Sequence, residues 1–422
     1  MLLKANIDFR SRRSPTVVGP VRSVDYPSRH YVKALHKSSS MRTSLVHVMT
    51  NRHIAILSPI NRNPGKPHGG ITPVVTNLAN YFTRRGTRTD LVVFVPANSS
   101  LRPRGVASEI RVFNLGSVPK AINAYRLWQY LRQERPTVLL SFGWRANTIA
   151  AWCKRFPAVS TRVWGGIQNM ISAGQQESHY AKGWRKNAGM RWSYRALDGL
   201  IAASQGVAED FVHVTHIPSE NIHVIHNPVV KSDLSQRGLN SVNHPWFRPE
   251  SPPVILGVGR LARQKDFHTL IRAFARVCAK RHCRLVILGE GNDRAPLEAL
   301  AVELGLKDDI DLPGFVTNPF AYMSKAALFV LSSAWEGFGN VLAEAMALGV
   351  PVVSTDCPSG PREILQDGRY GPLVPVGDAC ALAKAMIDVL DHPPEKAFLQ
   401  SASERFRVDK CAEAYLQVLS PD

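Results

Sequence analysis

The sequence predicts an α/β architecture: two doubly wound, Rossmann-like domains that face each other across a cleft. Three observations carry that prediction. From His53 onward, short β-branched runs alternate with amphipathic stretches of ten to sixteen residues, the sequence form of βα units repeated around parallel sheets. A stretch rich in Pro, Ser, Asn and Gly, roughly 228–252, interrupts this alternation before it resumes. The chain is 422 residues long, with 45% apolar and 20% charged residues, enough for two buried cores and too ordinary for a disordered or fibrous chain.

In chain order, the first series places strands at 54–57, 91–95, 138–142, 162–166, 199–204 and 222–226, with helices at 70–85, 118–133, 180–197 and 205–215. The second series runs strand 254–259, helix 266–280, strand 284–289, helix 293–305, strands 310–314 and 328–333, helix 339–348, strands 351–355 and 371–375, and helix 378–391. The expected domains are therefore 49–232 and 253–400, joined by a linker at 233–252, with 401–422 as a helix packing back on the first domain. Residues 1–48 are rich in Arg, Ser, Lys and Pro without a sustained apolar period and read as a disordered basic leader. Met41 and Met49 stand just before the first strand, so an over-extended start fits the same stretch equally well.

Composition narrows the function classes. The six cysteines form no C-x-x-C pair and no zinc spacing, so neither a disulfide framework nor a structural metal is indicated, and a reducing, cytoplasmic compartment fits best. No stretch approaches the ~18 uninterrupted apolar residues of a membrane span, and the N-terminus lacks an apolar signal-peptide core. Charge is one-sided: residues 1–240 hold 33 Lys/Arg against 11 Asp/Glu, whereas 241–422 hold 19 against 22. A net +22 facing a net −3 reads as attraction to an anionic surface, lipid foremost. A nucleic-acid binder is set aside, since no binding module accompanies the charge.

In open α/β sheets, ligands bind beyond the carboxyl ends of strands. The strand "ALFVLSS" ends in Glu336-Gly337-Phe338-Gly339-Asn340, and "VLAEAMALG" then reads as a buried helix carrying Glu344. Gly337 and Gly339 permit close backbone approach, and the helix start offers free N–H groups to a phosphate. A carboxylate can accept two hydrogen bonds from paired hydroxyls. Two cations, Arg260 and Lys265, follow the strand "ILGVG" at its carboxyl end, where they would neutralise a diphosphate. Asp309 and Asp311 make a superficial D-x-D, but they open a strand rather than end one.

The run "SSAWEGFGNVLAEAMALGVPVVSTDCPSGPREIL" resembles the E-x7-E donor region of family 4 retaining glycosyltransferases, and "GVGRLARQKDFHTLIRAF" and "LVILGEGNDRAPLEALAVELGL" resemble neighbouring segments of that family. The resemblance spans about 52–410. It implies the GT-B fold, with 49–232 binding the acceptor and 253–400 the nucleotide sugar. On the family pattern Glu336 would contact sugar hydroxyls, Glu344 the ribose, and Arg260 and Lys265 the diphosphate. Gly337, Phe338, Gly339 and Asn340 would supply backbone contacts. No metal or other cofactor is expected.

On the acceptor side, His68-Gly69-Gly70 before an amphipathic helix resembles the family's glycine-rich turn, with Gly69 and Gly70 letting ligands approach the helix start. A histidine often found after the fourth strand is missing here. In its place "SFGWRANTIA" resembles a subgroup acting in polysaccharide and lipid-linked oligosaccharide assembly, which makes Arg145 and Asn147 acceptor-site candidates. Gln168 and Asn169 are weaker ones. The resemblance implies transfer of a hexose or N-acetylhexosamine from a nucleotide sugar, UDP-sugar foremost, to a glycolipid or polysaccharide acceptor in lipopolysaccharide or exopolysaccharide biosynthesis, with peripheral contact on the inner face of the cytoplasmic membrane. A UDP-sugar epimerase or hydrolase of the same fold is the alternative.

Overall fold

The computed structural model describes residues 22–23, 52–59, 70–96, 102–103, 105–173 and 183–420. The first sheet contains β1 (Arg22–Ser23), β2 (His53–Ser58), β3 (Arg88–Val93), β4 (Arg111–Asn114), β5 (Val138–Phe142), β6 (Arg162–Ile167), β7 (Gly199–Ala202) and β8 (Ile222–Val224). Its order is β1-β8-β7-β6-β5-β2-β3-β4, with every pairing parallel. Around it lie α1 (Ile71–Arg84), α2 (Lys120–Glu134), α3 (Trp144–Cys153), α4 (Gly183–Tyr194) and α5 (Gln205–Thr215).

The second sheet has the order β11-β10-β9-β12-β13-β14. Its strands are β9 (Val254–Val258), β10 (Arg284–Leu288), β11 (Ile310–Gly314), β12 (Leu328–Leu331), β13 (Val352–Thr355) and β14 (Leu373–Val374). The helices from the connection onward are α6 (Leu234–Gly238), α7 (Phe267–Cys278), α8 (Arg294–Glu303), α9 (Pro319–Met323), α10 (Asn340–Ala347), α11 (Pro361–Leu365), α12 (Ala379–Asp391), α13 (Lys396–Ser403) and α14 (Val408–Leu419). Two parallel sheets with interleaved helices match the predicted fold class.

Both strand orders reverse once, and the reversals position the site. In the first sheet the chain builds outward from β2 through β3 to β4, then restarts at β5 on the other side of β2. In the second it builds from β9 to β11, then restarts at β12 beside β9. Connections leave a strand pair in opposite directions at such a reversal and open a crevice at the carboxyl ends. The crevices lie at Pro59, Gly70 and Gly143 in one sheet, and at Arg260, Lys265 and Glu336 in the other.

Several segments differ from expectation in informative ways. Of the stretch expected as a leader, the described residues Arg22–Ser23 pair with β8, and the remainder lies outside the described residues. β4 was not anticipated: it is a four-residue edge strand, exposed or half-exposed along its length, so its apolar signal is dilute. The connection at 233–252 is packed rather than slack. Leu234 is buried in the second core, Ser324 Oγ donates to the Gly238 carbonyl at 2.6 Å, and His244 pairs with Asp311 at 2.8 Å. At the amino ends of β2 to β4, buried Asp90 is met by His53 at 2.7 Å, Arg111 at 2.8 Å and Tyr130 Oη at 2.7 Å. Burial alone would raise that carboxyl, but the three donors hold it well below its ordinary value.

The last helix returns to the first domain. Its amphipathic face puts Cys411, Ala412, Tyr415, Leu416 and Leu419 inside, and Ala412, Tyr415, Leu416 and Leu419 join the core of Ile54, Ile56, Val75 and Leu91. Tyr415 is fully buried beside Phe142 with ring centroids 6.4 Å apart, and its hydroxyl finds no partner among the described residues. Deleting that ring leaves a cavity, whereas deleting only the orphan hydroxyl removes a desolvation penalty. Tyr415→Ala is therefore expected to cost about 3–5 kcal/mol in denaturant unfolding, while Tyr415→Phe keeps or raises the melting temperature.

Candidate active site

The two strand-order reversals meet. At the carboxyl end of β12, Glu336 turns back into the sheet rather than out to solvent and is 6% exposed. Its Oε1 accepts from Lys265 Nζ at 2.5 Å and from Ser333 Oγ at 2.6 Å. Lys265 comes from the end of β9, the neighbouring strand, and the loop carrying it is tied down because its carbonyl accepts from Ser332 Oγ at 2.8 Å. Glu336 Oε2 makes no hydrogen bond with the described residues, so one oxygen fixes the side chain and the other keeps its capacity to accept. Arg260 sits exposed at the same sheet edge without a partner among the described residues.

Gly337 to Asn340 form the contact between the domains. The Gly337 carbonyl accepts from Ser204 Oγ at 2.7 Å and Ser359 Oγ at 2.9 Å. A Cβ on Gly337 would stand 1.9 Å from the Gln168 carbonyl oxygen and 3.1 Å from Asn169 Cα, so no other residue fits while the domains are closed. Phe338 is buried and stacks on His226 with centroids 5.3 Å apart, with Phe406 edge-on to both rings; its side chain is an anchor, and only its backbone is left to meet a ligand. Gly339 caps α10 at φ +98°, the left-handed region that favours glycine.

Asn340 bridges the cleft. Its Oδ1 accepts from Asn227 Nδ2 at 2.9 Å and its Nδ2 donates to the Gly70 carbonyl at 3.2 Å. That bond brings the amino end of α10 against the amino end of α1. Two helix starts, each with N–H groups that lack an intrahelical partner and a positive dipole end, are thus brought together, an arrangement that suits an anion. Gly69 lies outside the described residues.

Glu344 stands one turn further along α10, and its carboxyl makes no hydrogen bond with the described residues. Burial pushes that carboxyl up to about 8, against the opposing pull of Lys231 and Arg237, although solvent still touches part of the residue. In its neutral form it offers a hydroxyl both a donor and an acceptor.

On the facing domain a cavity of about 190 Å³ opens beside Gly337, lined among others by Ile71, Trp144, Asn147, Gln168, Asn169 and Met190. Asn147 lines it but is committed elsewhere: Oδ1 accepts from Ser141 Oγ at 2.7 Å, and Nδ2 donates to the Gly166 carbonyl at 3.0 Å and Tyr194 Oη at 3.1 Å. Arg145 is not in the lining. Its guanidinium donates to the Val118 carbonyl at 2.6 Å and lies 5.7 Å over the Phe94 ring. Gln168, buried with an unpartnered Nε2, and exposed Asn169 are the polar groups at the cavity. Arg145 thus lies against Val118 and Phe94, while the strand end delivers Gln168 and Asn169 to the cavity.

Other contributors escaped the sequence reading. Glu363, inside the run "CPSGPREIL", reaches across to cap α5, accepting from Gln205 N at 2.9 Å and Gly206 N at 3.1 Å and pairing with His226 at 3.2 Å. Burial would raise the Glu363 carboxyl, but these partners outweigh it and hold it below its ordinary value. Ser204, Asn227, Ser333 and Ser359 also act through contacts formed only after folding. The superficial D-x-D is taken up by other partners, Asp309 by an ion pair with Arg284 and Asp311 by a hydrogen bond with His244.

Because the Gly337 clash is with backbone of the other domain, it cannot be relieved by a rotamer change. Gly337→Ala is expected to hold the domains apart, seen as a larger radius of gyration in small-angle scattering with little change in thermal unfolding; an unchanged radius would contradict the closed contact described above.

Comparison with known proteins agrees with this geometry. Residues 68–232 match Glycosyltransferase Family 4 and residues 243–406 match Glycosyl transferases group 1. The lipopolysaccharide core biosynthesis glycosyltransferase LpsE of Rhizobium meliloti (strain 1021) is 34% identical over 365 residues, 83% of this chain and 96% of that protein. An N-acetylgalactosamine-N,N'-diacetylbacillosaminyl-diphospho-undecaprenol 4-alpha-N-acetylgalactosaminyltransferase of Campylobacter jejuni is 35% identical over 213 residues, 50% of this chain and 56% of that protein. Among solved structures, the lipopolysaccharide outer core galactosyltransferase WaaB superposes with a TM-score of 0.65 at 22% identity, over 86% of this chain and 98% of that one. Anabaena HepE in complex with UDP does so with a TM-score of 0.67 at 20% identity, over 87% and 99%. These relatives lend no support to an epimerase or hydrolase. With both halves matched and a relative aligned nearly end to end, the chain belongs to the family 4 glycosyltransferases and has the GT-B fold.

Proposed function

We propose that this glycosyltransferase moves a hexosyl or N-acetylhexosaminyl group from a nucleotide sugar, a UDP-sugar foremost, to a lipid-linked or polysaccharide acceptor in cell-surface glycan assembly, with retention of the anomeric configuration. The observation that carries the reading is the Glu336–Lys265 pair at the second sheet's reversal point, set opposite the joined starts of α1 and α10. The diphosphate sits at those helix starts, with Lys265 and Arg260 supplying the cations. Glu336 Oε2 takes a sugar hydroxyl and Glu344 takes the ribose. No metal or other cofactor enters the reaction, because the fixed positive groups meet the leaving charge.

The acceptor occupies the cavity beside Gly337, addressed by Gln168 and Asn169. Its hydroxyl attacks on the face that the diphosphate leaves; the C–O bond to phosphate breaks as the new glycosidic bond forms, and the hydroxyl proton passes to the departing phosphate oxygen. Catalysis then rests on charge stabilisation and positioning. The names of relatives support the acceptor class, since LpsE acts in lipopolysaccharide core biosynthesis and the Campylobacter enzyme carries diphospho-undecaprenol in its name. No helix among the described residues is long and apolar enough to cross a membrane; we place the enzyme in the cytoplasm, in peripheral contact with the inner face of an anionic membrane.

The test is UDP release from UDP-sugars with and without a pyrophosphate-linked saccharide. Release that requires the acceptor and persists in EDTA is expected; equal release without acceptor, or sugar epimerisation, would overturn transfer, and loss in EDTA would overturn the metal-free reading. Glu336→Gln and Lys265→Ala are each expected to lower turnover by on the order of 10²-fold or more, as lost preorganised contacts do; near-normal steady-state rates would remove that residue from the mechanism.

A further inference from the structure

Among the described residues nine large apolar side chains stay exposed, and five of them, Ile122, Tyr125, Trp144, Phe156 and Trp192, cluster on or just after α2, α3 and α4. These helices pack side by side, α2 on α3 and α3 on α4. The rings are linked: Tyr125 to Trp128 at 5.6 Å and Trp128 to Phe156 at 6.0 Å between centroids. Cations lie over them, Arg132 at 4.8 Å from the Trp128 ring, Arg155 at 3.6 Å from Trp192 and Lys120 at 3.9 Å from Trp144. Exposed Arg126 and Arg195 flank the strip.

The charge on this face is not balanced. Residues 120–194 contain twelve Lys/Arg and two acids, Glu134 and Glu177, and Glu134 is already paired with Arg88 and Arg111. A run of amphipathic rings under guanidinium groups, on outward helix faces, suits the boundary between lipid headgroups and acyl chains: Trp and Tyr sit at that depth, and Lys and Arg reach the phosphates while their stems cover apolar surface. A single-stranded nucleic acid would instead need open ring faces on which bases stack, and here Arg132 and Arg155 cover the Trp128 and Trp192 faces.

The strip also has a direction. Trp144 is both its edge at the carboxyl end of the first sheet and part of the cavity lining. We propose that the α2–α3–α4 face docks the first domain on an anionic lipid bilayer, with Trp144 holding the mouth of the cavity at headgroup level. The inference deepens the proposed membrane contact by naming its surface, and its second clause rests also on the reading of the cavity as the acceptor site.

The experiment is flotation of the full chain with vesicles of phosphatidylcholine alone or with about 30% phosphatidylglycerol, at low and high salt. The unaltered protein is expected to float only with anionic vesicles and to be released by salt. Tyr125→Ser with Trp192→Ser, and separately Arg132→Glu with Arg195→Glu, are each expected to weaken flotation by about tenfold or more, with unfolding temperatures checked, while Leu239→Ser on the connection between the domains floats normally. UDP release with a short-chain soluble acceptor stays unchanged in the Tyr125/Trp192 variant, whereas release with a vesicle-held acceptor falls. Flotation that the strip variants retain, equal binding to neutral vesicles, or binding of a single-stranded oligonucleotide that the same substitutions abolish without any vesicle binding would overturn the proposal. Failure of transfer to the soluble acceptor in the unaltered protein would overturn the functional reading and leave the flotation result standing.

Discussion

The backbone of Gly337 rests against the backbone of Gln168 and Asn169, and the rest of the site depends on that approach. It sets the spacing between the two sheets. Around it the polypeptide places contacts that each need the right distance: Ser204 and Ser359 on the Gly337 carbonyl, Asn340 on Gly70, and Glu363 on the start of α5. Most of these are single hydrogen bonds, worth about 0.5–1.5 kcal/mol net apiece, and the stack of Phe338, His226 and Phe406 adds apolar contact beside them. A cleft that must admit a diphosphate donor and then release a diphosphate product is well served by such a latch.

The same arrangement explains why charged side chains are tolerated in a nearly buried place. Glu336 would be expensive alone, but Lys265 and Ser333 satisfy one oxygen within the protein and leave the other for a ligand. At Glu344 burial raises the carboxyl, which favours its neutral form. Two acids eight positions apart are thus accommodated differently, because one lies beside Lys265 in the strand-end crevice and the other lies within a helix whose buried neighbours are Leu342, Ala343, Ala345 and Met346.

Much of the second domain was legible in the sequence. Its strands are continuous apolar runs, its helices are strongly amphipathic, and the element boundaries predicted for β9 to β13 fall close to those observed. Glu336, Lys265 and Arg260 were legible for the same reason: they follow strands directly, and a parallel sheet presents whatever follows a strand to its carboxyl edge. The first domain was read less completely. β4 carries little apolar periodicity, and Arg145 and Asn147 lie inside a helix, where sequence position does not say which face meets the cavity.

What the sequence by itself determined is the repeated βα pattern, the one-sided charge and the strand-end positions of Glu336, Lys265 and Arg260, because period and strand-end position are local properties of the chain. Only the tertiary structure decided that Lys265 bonds Glu336, that Asn147 is spent on Ser141, Gly166 and Tyr194, that Glu363 caps a helix of the other domain, and that Gly337 must lack a side chain. Those facts join residues from 6 to 169 positions apart, and the long-range pairings among them are fixed by which sheet edges face each other after folding, which no local pattern records.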